Sequence, residues 1–364
     1  MRIALVTEFY YPHLGGVTEH VHHLARQFRA AGHEVAIVTS CMRGGGHDDP
    51  WVHRVGRSRI IFSNGSFARV TTGVGLTRRL EALFRTRRIE LVHVHGGLAP
   101  TFGLLAPRAA FRLGLPVVAT YHSWFPRSHL YRAMRRPLQR LLDRHAASIA
   151  VSEPVVEAMS RYFTTRWDII PNGVDMCEFH PEPNGNGHSP RLLFLGRLDP
   201  RNGLDTALDA MPSILARHPD ARLVVAGDGP LRGHYQRRAA PLGDRVRFLG
   251  HVRDERQRLY AMSDLYLCPT TKASFGITLL EAMACGTPMV VSDITGFREL
   301  VNGGAEAHLV PRNDAARWAE TVNRLLDDRC ARERMSLAGR AKSAEYAWPC
   351  VAARVMDVYR RVLR

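Results

Sequence analysis

Residues 268 to 292 carry the densest set of groups suited to holding an anion. Cys268-Pro269-Thr270-Thr271-Lys272-Ala273-Ser274-Phe275-Gly276-Ile277-Thr278 runs into Leu279-Leu280-Glu281-Ala282-Met283-Ala284-Cys285-Gly286. Leu265-Tyr266-Leu267 before it reads as a buried strand, and Met289-Val290-Val291 after it starts another. A helix is expected between them, opening at Ser274-Phe275-Gly276 with Ser274 as N-cap and ending near Cys285 at the stop Gly286. Free backbone N–H groups at such a start favour a phosphate. Gly276 admits a ligand close to the backbone. Glu281, two turns in, can face the same crevice and accept hydrogen bonds from a ribose. An ordinary strand–loop–helix unit has the same pattern, so other residues must decide.

Arg197 is one of them. It follows the apolar run Arg191-Leu192-Leu193-Phe194-Leu195 in Gly196-Arg197-Leu198-Asp199-Pro200-Arg201-Asn202-Gly203. A guanidinium at a strand exit suits a diphosphate, which it can bind bidentately; a plain surface arginine is the alternative. Gly250-His251-Val252 leaves a later strand and can present backbone groups to a base. In the first half, Gly15-Gly16 lies between the strand Arg2 to Thr7 and a helix Thr18 to Ala31, where doubly wound sheets bind ligands. It also serves as a tight turn. It is not Gly-x-Gly-x-x-Gly, and no acidic residue closes the strand Val35 to Thr39, which excludes a nicotinamide site. His122 stands just past the strand Pro116 to Thr120 and reads either as a site residue or as a structural histidine. His93 and His95 alternate within the strand Leu91 to His95 and read mainly as structural.

Strands and helices alternate in both halves, which predicts an α/β chain of two doubly wound, Rossmann-like domains facing across a cleft. The boundaries expected are 1–180 for the first domain, 181–345 for the second, and 346–364 for a C-terminal helix packing back on the first. Residues 181–187, Pro181-Glu182-Pro183-Asn184-Gly185-Asn186-Gly187, are the most linker-like. Residues 41–75 are expected as loops and short strands. Arg127 to His145 is expected as a basic helical segment.

The 364 residues carry a net charge of +16, almost all from arginine, since only Lys272 and Lys342 are lysines. Such a surface implies a polyanionic partner. With no zinc-finger or RNA-binding motif, nucleic acid is set aside in favour of an anionic membrane surface or phosphorylated substrates. The expected helix Leu76 to Thr86, with Arg87 and Arg88, carries five arginines beside an apolar stripe. That is a solvated face or a patch for anionic headgroups. The cysteines, at 41, 177, 268, 285, 330 and 350, form no Cys-x-x-Cys pair, so a reduced, cytoplasmic protein without a zinc site is expected. No run approaches the roughly 18–20 apolar residues of a membrane span.

Several of these stretches together resemble the retaining glycosyltransferases of family four, which have the GT-B fold. The resemblance rests on Gly15-Gly16-Val17, the arginine helix before Leu91 to His95, Ala119-Thr120-Tyr121-His122, Ile170-Pro171-Asn172-Gly173-Val174-Asp175, and the segment from Ala273 to Glu281-Ala282-Met283. It covers nearly the whole chain and is greatest to the branch that mannosylates phosphatidylinositol. It implies transfer of a sugar from a GDP- or UDP-linked donor to an acceptor hydroxyl with retention of configuration, and no metal or other cofactor. The acceptor would be a lipid or a small molecule, the enzyme peripheral at the inner face of the membrane. By the resemblance, His122, Arg197 and Gly16 act at the reacting centre, with Gly15 and Gly16 lying against the donor diphosphate. The donor would meet Arg197, Asn202, Gly250, His251, Val252, Lys272, Ala273, Ser274, Phe275, Gly276, Ile277, Thr278 and Glu281. Two positions depart from the pattern. The family has Lys at the position of Asn202 and Glu at that of Ala273. An unusual donor, a compensating charge from Lys272, or a non-catalytic binding protein each accommodates the departures.

Overall fold

The computed structural model describes the whole chain except residues 14, 43–48, 64–65, 99–100, 183–188, 253 and 302–303, and the side chains of 60–68. It divides into two compact units, Met1–Asn172 with Trp348–Arg364, and Gly173–Ala347. Most of the linker-like 181–187 stretch lies outside the described residues. The division falls ahead of it because Val174 already belongs to the second unit. Its N–H donates to the Tyr346 carbonyl (2.9 Å), and it bridges Ala347.

The first unit has strands β1 (Arg2–Thr7), β2 (Glu34–Cys41), β3 (Val52–Ser63), β4 (Ser66–Thr72), β5 (Leu91–His95), β6 (Val117–Tyr121), β7 (Ala147–Ala150) and β8 (Trp167–Ile169). Their order is β4-β3-β2-β1-β5-β6-β7-β8, parallel except for the antiparallel pair β3–β4. Both faces are covered, as a parallel sheet requires. Val21, Leu24 and Phe28 of the helix Gly16–Ala30 pack on one face with Trp348, Val351, Val355 and Tyr359 of the helix Trp348–Val362. Leu80 and Phe84 of the helix Leu76–Thr86 pack on the other with Phe102 and Ala106 of the helix Phe102–Arg112. Each large side chain so buried contributes roughly 1.5–3 kcal/mol.

The second unit has β9 (Arg191–Leu195), β10 (Arg222–Ala226), β11 (Val246–Gly250), β12 (Leu265–Cys268), β13 (Met289–Ser292) and β14 (His308–Val310). Their order is β11-β10-β9-β12-β13-β14, and every pairing is parallel. This is the doubly wound order in which the chain reverses direction between β9 and β12. Its two sides are filled by Leu204, Met211, Tyr235 and Trp318, and by Tyr260, Phe275, Leu279 and Phe297.

Three local expectations change. Residues 41–75 hold β3, a twelve-residue strand, and its hairpin partner β4, where loops and short strands were expected. Arginine, serine and glycine break up the apolar alternation and conceal an antiparallel β3–β4 pair at the edge of the sheet. The stretch from Arg127 to His145 is two helices, His129–Ala133 and Arg135–Leu142, rather than one segment. Pro137 lies in the first turn of the second, where its missing N–H costs nothing but a helix running through would lose a bond. Ser274 does not cap the helix after β12, which is Ile277–Ala284 with Gly276 as its N-cap. Gly276 has φ 122°, which an L side chain rarely adopts, and a Cβ there would lie 3.0 Å from the Phe297 ring.

Candidate functional site

In the second unit, the exits of β9, β10, β11 and β12 share one edge because the strands are parallel. The exits of β9 and β12 are also fastened to each other. Thr271 donates to the Arg201 carbonyl from both its N–H (2.8 Å) and its hydroxyl (3.0 Å). Gly203, at φ 70°, is so close to the Pro269 carbonyl that a Cβ would lie 2.0 Å from its oxygen. Arg197 sits on the β9 exit with its side chain 44 % exposed, 3.9 Å from Asp199. Its guanidinium therefore remains open to an incoming anion.

Asn202 stands where the resemblance calls for a lysine, and it closes the Arg197 loop. Its Nδ2 donates to the Arg197 carbonyl at 2.7 Å, and its N–H meets Asp199 Oδ1 at 3.3 Å. The amide thus supports the backbone of the arginine beside it. Lys272 is exposed, and Ala273, Ser274, Ile277 and Thr278 are half-buried along the loop and helix start. Phe275 is buried and packs beside Tyr346 in the core, a structural place. Gly250 is buried, with its carbonyl accepting from the Gly227 N–H (2.7 Å), His251 is exposed and Val252 half-buried. The Arg232 guanidinium lies over Gly250 and pairs with Asp228 at 3.1 Å, which adds a cation to this edge.

Glu281 differs from a carboxylate simply open to a crevice. It is 3 % exposed. Arg256 donates to Oε1 at 2.7 Å, and the Tyr260 hydroxyl donates to Oε2 at 3.1 Å. Arg256 and Tyr260 are four apart on the helix Arg256–Ala261, so one face of that helix delivers both. Arg256 also lies 3.8 Å from Glu178 and over the Phe179 ring. Burial and the Glu281 charge push the Tyr260 phenol well up, so it stays a donor. Arg256 and Tyr260 carry no signal in the sequence, because only the fold brings their helix to Glu281.

In the first unit, the helix after β1 begins at Gly16 with Gly15 as an extended N-cap, two residues earlier than Thr18. The Gly16 N–H is thus among the free ones of the first turn. The Thr18 hydroxyl donates to the His13 carbonyl at 2.8 Å and holds the loop. His122, half-buried just past β6, has its Nε2 3.2 Å from His95 Nδ1. Burial pushes the imidazoles of His122 and His95 well down and that of His20 to about 4, so all three are neutral at pH 7. His122 therefore offers a hydrogen bond rather than a charge.

His93 does behave structurally. Its Nδ1 pairs with the Tyr359 hydroxyl (2.6 Å) and its Nε2 with the Thr120 hydroxyl (2.7 Å). His95 is more than a strand residue, since it touches His122. The signal was present: β5 and β6 are neighbours, and with a period of two His93, His95, Thr120 and His122 share a face. His20 gave no signal of this kind.

Two parallel-sheet units of this order, with phosphate-suited strand exits in the second, define a GT-B glycosyltransferase. Family models match both parts of the chain, Glycosyltransferase Family 4 over residues 14–177 and Glycosyl transferases group 1 over residues 189–328. The chain is 34% identical over 386 aligned residues to a phosphatidyl-myo-inositol mannosyltransferase of Mycobacterium tuberculosis, covering 100% of this chain and 97% of that one. A glycogen synthase of the same species is 30% identical, covering 99% and 94%. Among solved structures, HepE of Anabaena in complex with UDP superposes with a TM-score of 0.79 at 19% identity, covering 99% of this chain and 100% of that one. The chain belongs to glycosyltransferase family 4, and it is a hexosyltransferase close to the phosphatidylinositol mannosyltransferases. The family and fold expected from its sequence are both found.

The Arg256–Glu281 pair supplies a stability prediction. Arg256→Ala leaves a buried carboxylate without its cation and is expected to cost about 3 kcal/mol. Tyr260→Phe removes one hydrogen bond to a charge and is expected to cost about 1.5 kcal/mol. Urea unfolding of both variants checks the order; equal or negligible losses would show that the pair does not hold this part of the unit.

Proposed function

We propose that this glycosyltransferase moves a hexose from a nucleoside diphosphate donor to a hydroxyl of a phosphatidylinositol-like lipid, retaining the anomeric configuration. The observation that carries the reading is the end-to-end similarity to a phosphatidyl-myo-inositol mannosyltransferase. The second unit takes the donor. Arg197 holds the diphosphate, aided by the free N–H groups of Ile277 and Thr278 at the helix start. Gly250, His251 and Val252 border the base. Glu281, oriented by Arg256 and Tyr260, is the ribose contact. Gly15, Gly16 and His122 of the first unit act at the reacting centre.

The acceptor hydroxyl attacks from the face that the diphosphate leaves, so its proton passes to the departing phosphate oxygen and no protein nucleophile forms a bond. Stabilising the leaving charge is then the main catalytic task, a role for fixed donors and cations rather than for a metal. Without a lysine at Asn202, Arg197 carries more of that task. Ala273 removes a carboxylate that would meet a donor hydroxyl, and this favours a second reading in which an unusual donor, or a soluble acceptor, is used.

Calorimetry with UDP, GDP and ADP is expected to find at least one binder, weakened about tenfold or more by Arg197→Ala, in line with loss of a charged hydrogen bond. No binding by any of the three would remove the donor assignment.

The acceptor reading extends to the membrane surface. Arg78, Arg79, Arg85, Arg87 and Arg88 are all exposed around the helix Leu76–Thr86, and Val74 at its entrance is 96 % exposed. Each arginine near an anionic surface is worth about 1 kcal/mol. Among the described residues no helix is long and apolar enough to cross a membrane. Cosedimentation with vesicles is expected to show binding to anionic lipid that falls with added salt. Equal partitioning to neutral vesicles, or none to either, would favour the soluble acceptor.

A further inference from the structure

His20, His95 and His122 converge inside the first unit, one ring nitrogen of each within 4.8 Å of those of the other two. Their ring centroids are 4.8–5.5 Å apart. His20 comes from the helix Gly16–Ala30, His95 from the end of β5 and His122 from just past β6, so three separate elements aim imidazoles at one point.

The hydrogen bonding leaves this cluster incomplete. His20 Nδ1 meets Asn172 Oδ1 at 2.8 Å, and that oxygen only accepts, so the proton sits on Nδ1. The Nε2 lone pair is then left free, and His20 Nε2 is buried without a hydrogen-bond partner. An unpaired buried nitrogen of this kind is uncommon and calls for a cause. His93, beside them, spends both nitrogens on Tyr359 and Thr120 and contributes none.

We propose that His20, His95 and His122 form a binding site for a first-row divalent cation of the zinc type. Nitrogens bonded to zinc at about 2.0–2.1 Å lie roughly 3.4 Å apart in a tetrahedron. The observed 3.2 Å between His95 Nδ1 and His122 Nε2 is already close to that spacing, and small ring rotations bring in the third. Imidazole binds such an ion in its neutral form. The Asn172 amide oxygen on His20 is the outer partner that fixes the tautomer and ring of a metal-binding histidine. Half-buried His122 leaves the fourth position to water. The site needs no cysteine, so the cysteine spacing gives no sign of it. Resting on the transfer reading above, an ion here also engages His122, and occupancy inhibits transfer rather than supporting it.

The test is titration of chelator-stripped full-length protein with CoCl2, read by the visible absorption of four-coordinate cobalt, then displacement by ZnCl2. One ion per chain is expected. His20→Gln and His122→Gln should each weaken it at least tenfold, while His234→Gln, an exposed histidine of the second unit, should not change it. Circular dichroism and urea unfolding verify that the variants are folded; if His20→Gln unfolds, half-buried His122 supplies the decisive variant. Absence of cobalt absorption, or affinity unchanged in folded His122→Gln, overturns the site whatever the transfer assay shows. Inhibition of transfer by zinc that His20→Gln does not alter overturns the inhibitory role alone.

Discussion

A parallel strand delivers its carboxyl end to the same edge as its neighbours, and the chemistry assigned to this chain depends on that constraint. In the second unit it collects Arg197, Gly250 and the Ile277–Ala284 helix start along one edge, although they lie far apart in sequence. In the first it sets His95 and His122 side by side at the ends of β5 and β6. The constraint acts only because both faces of each sheet are buried. The helices that bury them also bring polar groups to the site. The helix Arg256–Ala261 packs Tyr260 into the core and with the same face clamps Glu281. The helix Trp348–Val362 covers the first sheet and saturates His93 through Tyr359.

The electrostatics of the two units differ in kind. The second presents cations and free N–H groups, which suit a charge that grows on a leaving diphosphate. The first presents imidazoles that burial keeps neutral, so they offer hydrogen bonds rather than charge. Asn202 shows how a departure from the family pattern is absorbed. The amide makes a 2.7 Å bond to the Arg197 carbonyl and so braces the arginine loop.

Much of this was legible in the sequence because it depends on local signals. Apolar runs gave the strands, and the exits Gly196-Arg197 and Tyr121-His122 fell where a doubly wound sheet puts them. What the sequence did not show depends on contacts between distant elements. Arg256 and Tyr260 are ordinary helix residues until the fold sets them against Glu281. His20 looks like a helix residue until Asn172, at the far end of the first unit's main segment, takes its Nδ1. Ser274 failed as a cap because the positive φ of Gly276 turns the chain two residues later. The β3–β4 hairpin was hidden because arginine, serine and glycine interrupt its apolar alternation.

Product analysis tests the central claim most directly. The protein is incubated, in chelator, with phosphatidylinositol vesicles and a panel of GDP- and UDP-linked sugars, and the product linkage is read by nuclear magnetic resonance. The account predicts a glycosylated lipid from at least one donor, with the donor's anomeric configuration kept, and lower yield after Ala273→Glu with Asn202→Lys because those positions are fitted to the native donor. An inverted linkage would contradict the mechanism. No product from any donor in the parent, with transfer appearing only in the double variant, would contradict the claim that this chain is a working transferase.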